Sequence, residues 1–263
     1  MSEREPRAAP IELADATFEE ARALAERGAI ALLPTGATEA HGPHLPLATD
    51  VIISREAARR AVRLLQKEGL PAIVLPPLAY AVTEYASEFS GTISLPFETA
   101  KALARDVILG AVRTGLAGVV VCNAHLEPEN LRALREACEE AQARGARVAF
   151  PDVTRKPHAL RLGDEFRSGA CHAGKYETSL VLAAEPFLVR GERAEALAAN
   201  PTSLSRAIRD GKKTFLEAGG PDAYFGDPAA ATALEGETLY TELADIFATA
   251  AKELAPPGSL STP

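Results

Sequence analysis

The chain of 263 residues contains no tryptophan, and only 5% of it is aromatic. No indole is therefore available to clamp a flat ligand. Three cysteines, Cys122, Cys138 and Cys171, make an odd number and form no C-x-x-C pair. That spacing excludes a zinc-finger framework and suits a reducing compartment. No apolar run approaches the roughly 20 residues that cross a bilayer. The opening residues, MSEREPRAAP, lack the apolar core of a signal peptide. Basic residues are outnumbered, 28 Lys and Arg against 36 Asp and Glu, for a net charge of −8. This balance argues against nucleic acid or an anionic membrane as partner. The acidic residues are spread along the chain, as ordinary solubility requires. The expectation is a cytoplasmic protein that acts on a small molecule.

What is present is an alternation. Continuous apolar runs read as buried strands: AIALLP (29–34), PAIVLPPL (71–78), AGVVVCNAH (117–125) and ARVAFPD (146–152). Between them lie amphipathic stretches that read as helices. The first, TFEEARALAERG, has Thr17 as cap and Gly28 as stop; the second, 49–69, has Thr49 as cap. Further helices are expected at 96–115, 127–145 and 172–186, and near 237–255. Strands of this kind separated by long helices predict an α/β fold with a mostly parallel sheet covered on both faces. At 47% hydrophobic the chain can fill one large core. No repeat or composition break divides it, so a single domain is expected over 1–263, with flexible tails at 1–10 and 255–263. Segments 80–95 and 153–168 lack a clear period, and Gly- and Pro-containing loops follow Asn200 before the final helix.

Ligands of open parallel sheets gather at the carboxyl ends of the strands. Three polar clusters fall at or near such ends: TGATEAHGPHLPLATD (35–50), NAHLEPEN (123–130) and CHAGKYETS (171–179). Neither G-x-x-x-x-G-K-[ST] nor G-x-G-x-x-G opens a helix, so none is a phosphate loop. Glu39, His41 and Asp50 from the first cluster and His125 and Glu127 from the second are an inventory for two metals. Glu39-x-His41 and His125-x-Glu127 are i, i+2 pairs, which in extended backbone project to one side and can each serve both metals. Asp50, in the first turn of a helix, is placed to bridge them. Each residue also has a plain structural alternative. Asp50 and Glu127 suit the positive end of a helix, Glu39 and His41 could satisfy loop backbone, and His44 reads as a supporting residue. Cys171 beside His172 is a poor nucleophile–base pair, because adjacent residues do not usually face one another.

The three motifs together resemble the creatininase family of metal-dependent amidohydrolases. PTGATEAHGPHLPLATD is similar to its Glu-x-His-Gly-x-His-Leu-Pro signature ending in Asp. NAHLEPEN and CHAGKYETS are similar to its second and third motifs, in the same order, over residues 30–184, about 60% of the chain. The resemblance implies a layered α/β/α fold, homo-oligomers (commonly hexamers) and two divalent metal ions per chain: zinc, manganese or iron. It implies that Glu39, Asp50 and His125 hold one metal, and His41, Asp50 and Glu127 the other. His172 and Glu177 would flank the substrate and move protons. Ala40 and Ala124 replace the Gln and Gly common in the family, and PEN after Glu127 displaces Asn130.

The implied activity is hydrolysis of a non-peptide C–N bond, a cyclic amide or formamide, by a metal-bridging hydroxide. Creatinine itself fits poorly, since the family's enzyme for it clamps the ring with tryptophan; Tyr80, Tyr85, Phe89 and Tyr224 are the candidate substitutes. Two alternatives stand beside this reading. One is a phosphoesterase on the same metals, with Lys175 as its single phosphate-binding candidate. The other is a non-catalytic metal-binding scaffold.

Overall fold

The computed structural model describes residues 10–255. Most of the two tails expected to be flexible, 1–9 and 256–263, lies outside the described residues. In chain order the helices are α1 (Phe18–Glu26), α2 (Thr49–Lys67), α3 (Phe97–Arg113), α4 (Pro128–Ala143), α5 (Gly163–Ser168), α6 (Lys175–Ala184), α7 (Gly191–Ala196), α8 (Leu204–Arg209) and α9 (Ala233–Leu254). The strands are β1 (Ile30–Thr35), β2 (Ala72–Val74), β3 (Gly118–Asn123) and β4 (Val148–Ala149), all parallel, in the order β2-β1-β3-β4. Short 3-10 turns complete the described elements. None of the helices among the described residues is long and apolar enough to cross a membrane.

Local chemistry explains most boundaries. Thr17 forms a full capping box: its hydroxyl accepts from the Glu20 amide, and Glu20 accepts from the Thr17 amide. Pro96 and Pro128 open α3 and α4, where a missing N–H costs nothing. Thr49 departs from expectation. It is the first residue of α2 rather than its cap, and its hydroxyl donates to the Pro46 carbonyl at 2.7 Å. This bond fastens the helix to the turn before it. The six-residue helices α5, α7 and α8 escaped the sequence pattern because they are too short to show a period.

Alternation across the sheet divides the core. Ile30, Leu32, Ala72, Val74, Val120 and Cys122 face one side and pack with α2, α6 and α9. Ala31, Leu33, Ile73, Val119, Val121 and Val148 face the other, with α1, α3 and α4. Both faces are buried, which is why the strands read as unbroken apolar runs. The result is the three-layer α/β/α arrangement.

α6 and α9 approach at Gly236, where an added Cβ would overlap the Ser179 carbonyl and press on the Ala183 methyl. Gly236→Ala should therefore destabilise the fold by about 1–3 kcal/mol through overpacking. Gly191→Ala, where an added Cβ meets nothing within 4 Å, should be near neutral. Urea unfolding of both variants checks this; equal midpoints would contradict the packing described.

Candidate metal centre

The ends of β1 and β3 lie side by side, with Thr35 paired to Asn123. The Thr35 hydroxyl donates to Asn123 Oδ1 at 3.0 Å. Asn123 and Asn130 both donate to the His125 carbonyl, at 2.7 and 2.9 Å. Asn130, displaced in sequence, thus shapes the turn that presents His125. After β1 the chain passes against the start of α2. A Cβ on Gly36 would sit 2.7 Å from the Asp50 backbone, so only glycine permits the approach. Asp50 Oδ2 then accepts from the Ala37 amide at 3.2 Å. The third motif enters at α6, where Glu177 in the first turn accepts from the Ala173 amide at 2.6 Å.

Six side chains from the three motifs converge, all buried. His125 Nδ1 lies 3.2 Å from Glu39 Oε1 and 3.1 Å from Asp50 Oδ2. His41 Nε2 lies 3.1 Å from Asp50 Oδ1 and 3.5 Å from Glu177 Oε2. Two donor groups result, Glu39–Asp50–His125 and His41–Asp50–Glu177, each with its ligand atoms within 4.8 Å of one another. Asp50 belongs to both, one oxygen to each. A third grouping joins Glu39, His41 and His172, with His172 Nδ1 3.8 Å from Glu39 Oε1.

Glu127 is placed differently. Its two oxygens accept from the backbone amides of Glu84 and Tyr85, at 3.0 and 3.2 Å, and it enters none of the three groups. Burial pushes its carboxyl up to about 7. His44 sits behind the centre, its Nε2 2.9 Å from the Thr178 hydroxyl. Lys175 is turned away to Glu235 at 2.6 Å. Burial pushes the Cys171 thiol far up, so it is no nucleophile.

The electrostatics fit a cation. Each converging histidine gives one ring N–H to a backbone carbonyl: His41 to Glu39, His125 to Val82 and His172 to Ala40. The other nitrogen is thereby aimed at the carboxylates, the arrangement that orients metal-ligating imidazoles. Among the described residues no Lys or Arg pairs with Glu39, Asp50 or Glu177. Without metal, protons supply the missing positive charge. Burial opposes the charge on His41, yet Asp50, Glu177 and Glu39 raise it to about 10. His125 is raised as well, against burial, by Glu39 and Asp50. Burial raises Glu177 to about 8 despite His41, whereas the histidines outweigh burial at Asp50 and hold it well below the usual carboxylate range. Buried imidazole and carboxylate donors of this kind suit divalent ions.

The centre opens into a cavity of about 370 Å³. Of the aromatic residues considered from sequence, Tyr85 lines it; Tyr80, Phe89 and Tyr224 do not. Phe215 and Phe166 do, and Phe215 stacks on His172 with centroids 4.3 Å apart. Arg167 and Arg209 also line the cavity. All four of Phe166, Arg167, Arg209 and Phe215 come from segments without a periodic pattern or motif, so no spacing signal marked them.

The family model for creatininase (creatinine amidohydrolase) matches residues 14–251. The chain belongs to the creatininase family. It is 32% identical over 224 residues to the mycofactocin precursor peptide peptidase of Mycobacterium ulcerans (strain Agy99), covering 81% of each chain. It is 27% identical over 184 residues to the creatinine amidohydrolase of Pseudomonas putida, covering 62% of this chain and 67% of that one. A crystal structure of creatinine amidohydrolase superposes with a TM-score of 0.77 at 25% identity, over 95% of this chain and all of the other (100%). Manganese and Zn-Zn creatininase structures, at 24% identity and TM-scores of 0.74 and 0.75, share the fold.

Two outcomes follow from the geometry. Its neighbours raise the His41 pKa to about 10 against burial, so an ion taken up by this candidate group would have to displace the His41 proton at pH 7. Zinc uptake at pH 7 should therefore release about one proton or more per chain and tighten as pH rises toward 10. Calorimetry in two buffers of different ionisation heat counts those protons; zero release would contradict the charge state. His44→Ala should leave zinc uptake as in the parent chain, measured by the same calorimetry, while lowering stability by about 1–3 kcal/mol, because Thr178 loses its buried partner.

Proposed function

We propose that this creatininase-family hydrolase cleaves an amide C–N bond at a pair of divalent ions, zinc or manganese. The observation that carries the reading is Asp50, whose two oxygens serve two separate buried donor groups. In this reading Glu39, Asp50 and His125 hold one ion, and His41, Asp50 and Glu177 the other. Glu177 thus exchanges roles with Glu127 relative to the assignment implied by the motifs.

Two ions bound there would polarise the carbonyl and bring the pKa of water toward neutrality. The chain's own residues do the rest. His172 commits its Nε2–H to the Ala40 carbonyl at 2.9 Å, leaving Nδ1 unprotonated and turned toward Glu39. Burial, joined in the metal-free chain by the charged His41, lowers its pKa to about 4, so it stays neutral at pH 7. Its free nitrogen accepts a proton from the attacking water. Phe215 and His41 pack against the ring and fix its plane. Glu127, held by two backbone amides on the cavity wall, delivers a proton to the leaving nitrogen.

The expected restriction to non-peptide bonds widens here to amides in general. The mycobacterial relatives are named as peptidases and the Pseudomonas relative as a creatinine amidohydrolase. A cavity of about 370 Å³ without an indole favours a substrate larger than creatinine. The phosphoesterase reading loses Lys175, which is paired with Glu235. The proton-transfer candidates His172 and Glu127, kept beside the donor set on the cavity wall, weigh against a non-catalytic metal-binding scaffold.

Metal analysis and turnover together test the roles, using an amide found on a panel of short peptides, cyclic amides, formamides and phosphodiesters. Asp50→Ala should lose both ions, and Glu177→Ala should keep about one. Glu127→Gln should keep both and lose about 10²–10⁴-fold in turnover, the usual worth of acid–base catalysis. Full metal content in Glu177→Ala with near-normal rates in Glu127→Gln would sink the assignment.

A further inference from the structure

The cavity is chemically lopsided. One end is the buried imidazole and carboxylate centre, and the wall includes two guanidinium groups, Arg167 and Arg209. Both arginines are brought there by the short helices α5 and α8. The Ser205 amide donates to the Gly169 carbonyl at 3.1 Å, and the Ser203 hydroxyl donates to the Ser168 carbonyl at 2.8 Å. These bonds seat the start of α8 on the end of α5. Leu204 and Ile208, one turn apart on α8, line the same cavity, and so do Ser205 and Arg209. An apolar row therefore runs beside a polar row that ends in a cation.

The two arginines differ in what they already hold. Arg167 donates to Asp164 and to the Leu160 carbonyl, so part of its capacity is taken. Arg209 has no hydrogen-bond or ion-pair partner among the described residues. Arg206, on the same helix, likewise has no side-chain partner among the described residues, but it does not line the cavity. A planar cation facing a cavity, with its donors free and apolar side chains beside it, is built for bidentate capture of an oxyanion. Arg209 is also solvent-exposed, so salt screens its field in part.

We infer that the substrate carries a compact anionic group, a carboxylate or a phosphate, which Arg209 binds while the amide lies on the metal centre. This rests on the amide-hydrolase reading and deepens it. Arg209 is the specificity-determining residue, Arg167 a weaker second contact, and Leu204 and Ile208 cover the apolar part between. Two probe pairs separate the sources of the charge: the dipeptide Leu-Phe against Leu-Phe amide, and uridine 5′-monophosphate against uridine.

Binding of each probe to the metal-loaded protein is measured by calorimetry at low salt. The anionic member of one pair should bind about 10–100-fold more tightly, the usual worth of a charge-assisted hydrogen bond. In metal-loaded Arg209→Gln, with unchanged metal content, that preference should fall to roughly threefold or less. A preference in the peptide pair assigns a carboxylate, and one in the nucleotide pair a phosphate. No preference in either pair overturns the inference. So does a preference that survives Arg209→Gln, since the anion then sits on the metals. An Arg209-dependent preference, together with no hydrolysis of any amide on the panel, keeps the anion site and removes the hydrolase reading instead.

Discussion

Asp50 is the constraint around which the centre is built. A carboxylate at the start of α2, almost wholly buried, faces His125 with one oxygen and His41 with the other. Burying a charge in this way is costly unless it is paired and hydrogen-bonded. The surrounding structure supplies both. Gly36 lets the chain after β1 approach α2 closely enough for the Ala37 amide to reach Asp50. The Thr49 hydroxyl ties the same helix to Pro46. Three motifs far apart in sequence then meet on one carboxylate.

The price of this arrangement is electrostatic. Glu39, Asp50 and Glu177 lie together without a Lys or Arg partner among the described residues, so imidazolium protons or metal ions must balance them. Backbone carbonyls of Glu39, Val82 and Ala40 fix the three imidazoles, so the inward nitrogens hold their direction whichever cation is present.

The cavity extends this logic beyond the reacting bond. Phe215 stacks on His172 and lines the cavity, and no tryptophan is present to grip a flat ring. Arg167 and Arg209 put positive charge on the wall of the same cavity. The imidazole and carboxylate groups lie at one end of this cavity, and helices α5 and α8 bring the two arginines to its wall.

Local pattern was enough for the layered fold and for the three segments that form the candidate centre. Unbroken apolar strands between long amphipathic helices leave few arrangements other than a parallel sheet covered on both faces. Gly, Pro, His and acidic residues in three ordered motifs marked the strand ends. Sequence could not decide between Glu127 and Glu177, since each is a carboxylate at the start of a helix beside a histidine motif. His125-x-Glu127 satisfies an i, i+2 rule only if the backbone stays extended. In the fold Glu127 is the cap of α4, and its carboxylate turns to the amides of Glu84 and Tyr85. Glu177 instead enters from α6, a helix positioned by its packing on α2 and α9. Such packing brings residues together across more than a hundred positions of chain, and no local pattern encodes it. The same holds for Arg209 and Phe215, whose place on the cavity wall was decided by tertiary contacts alone.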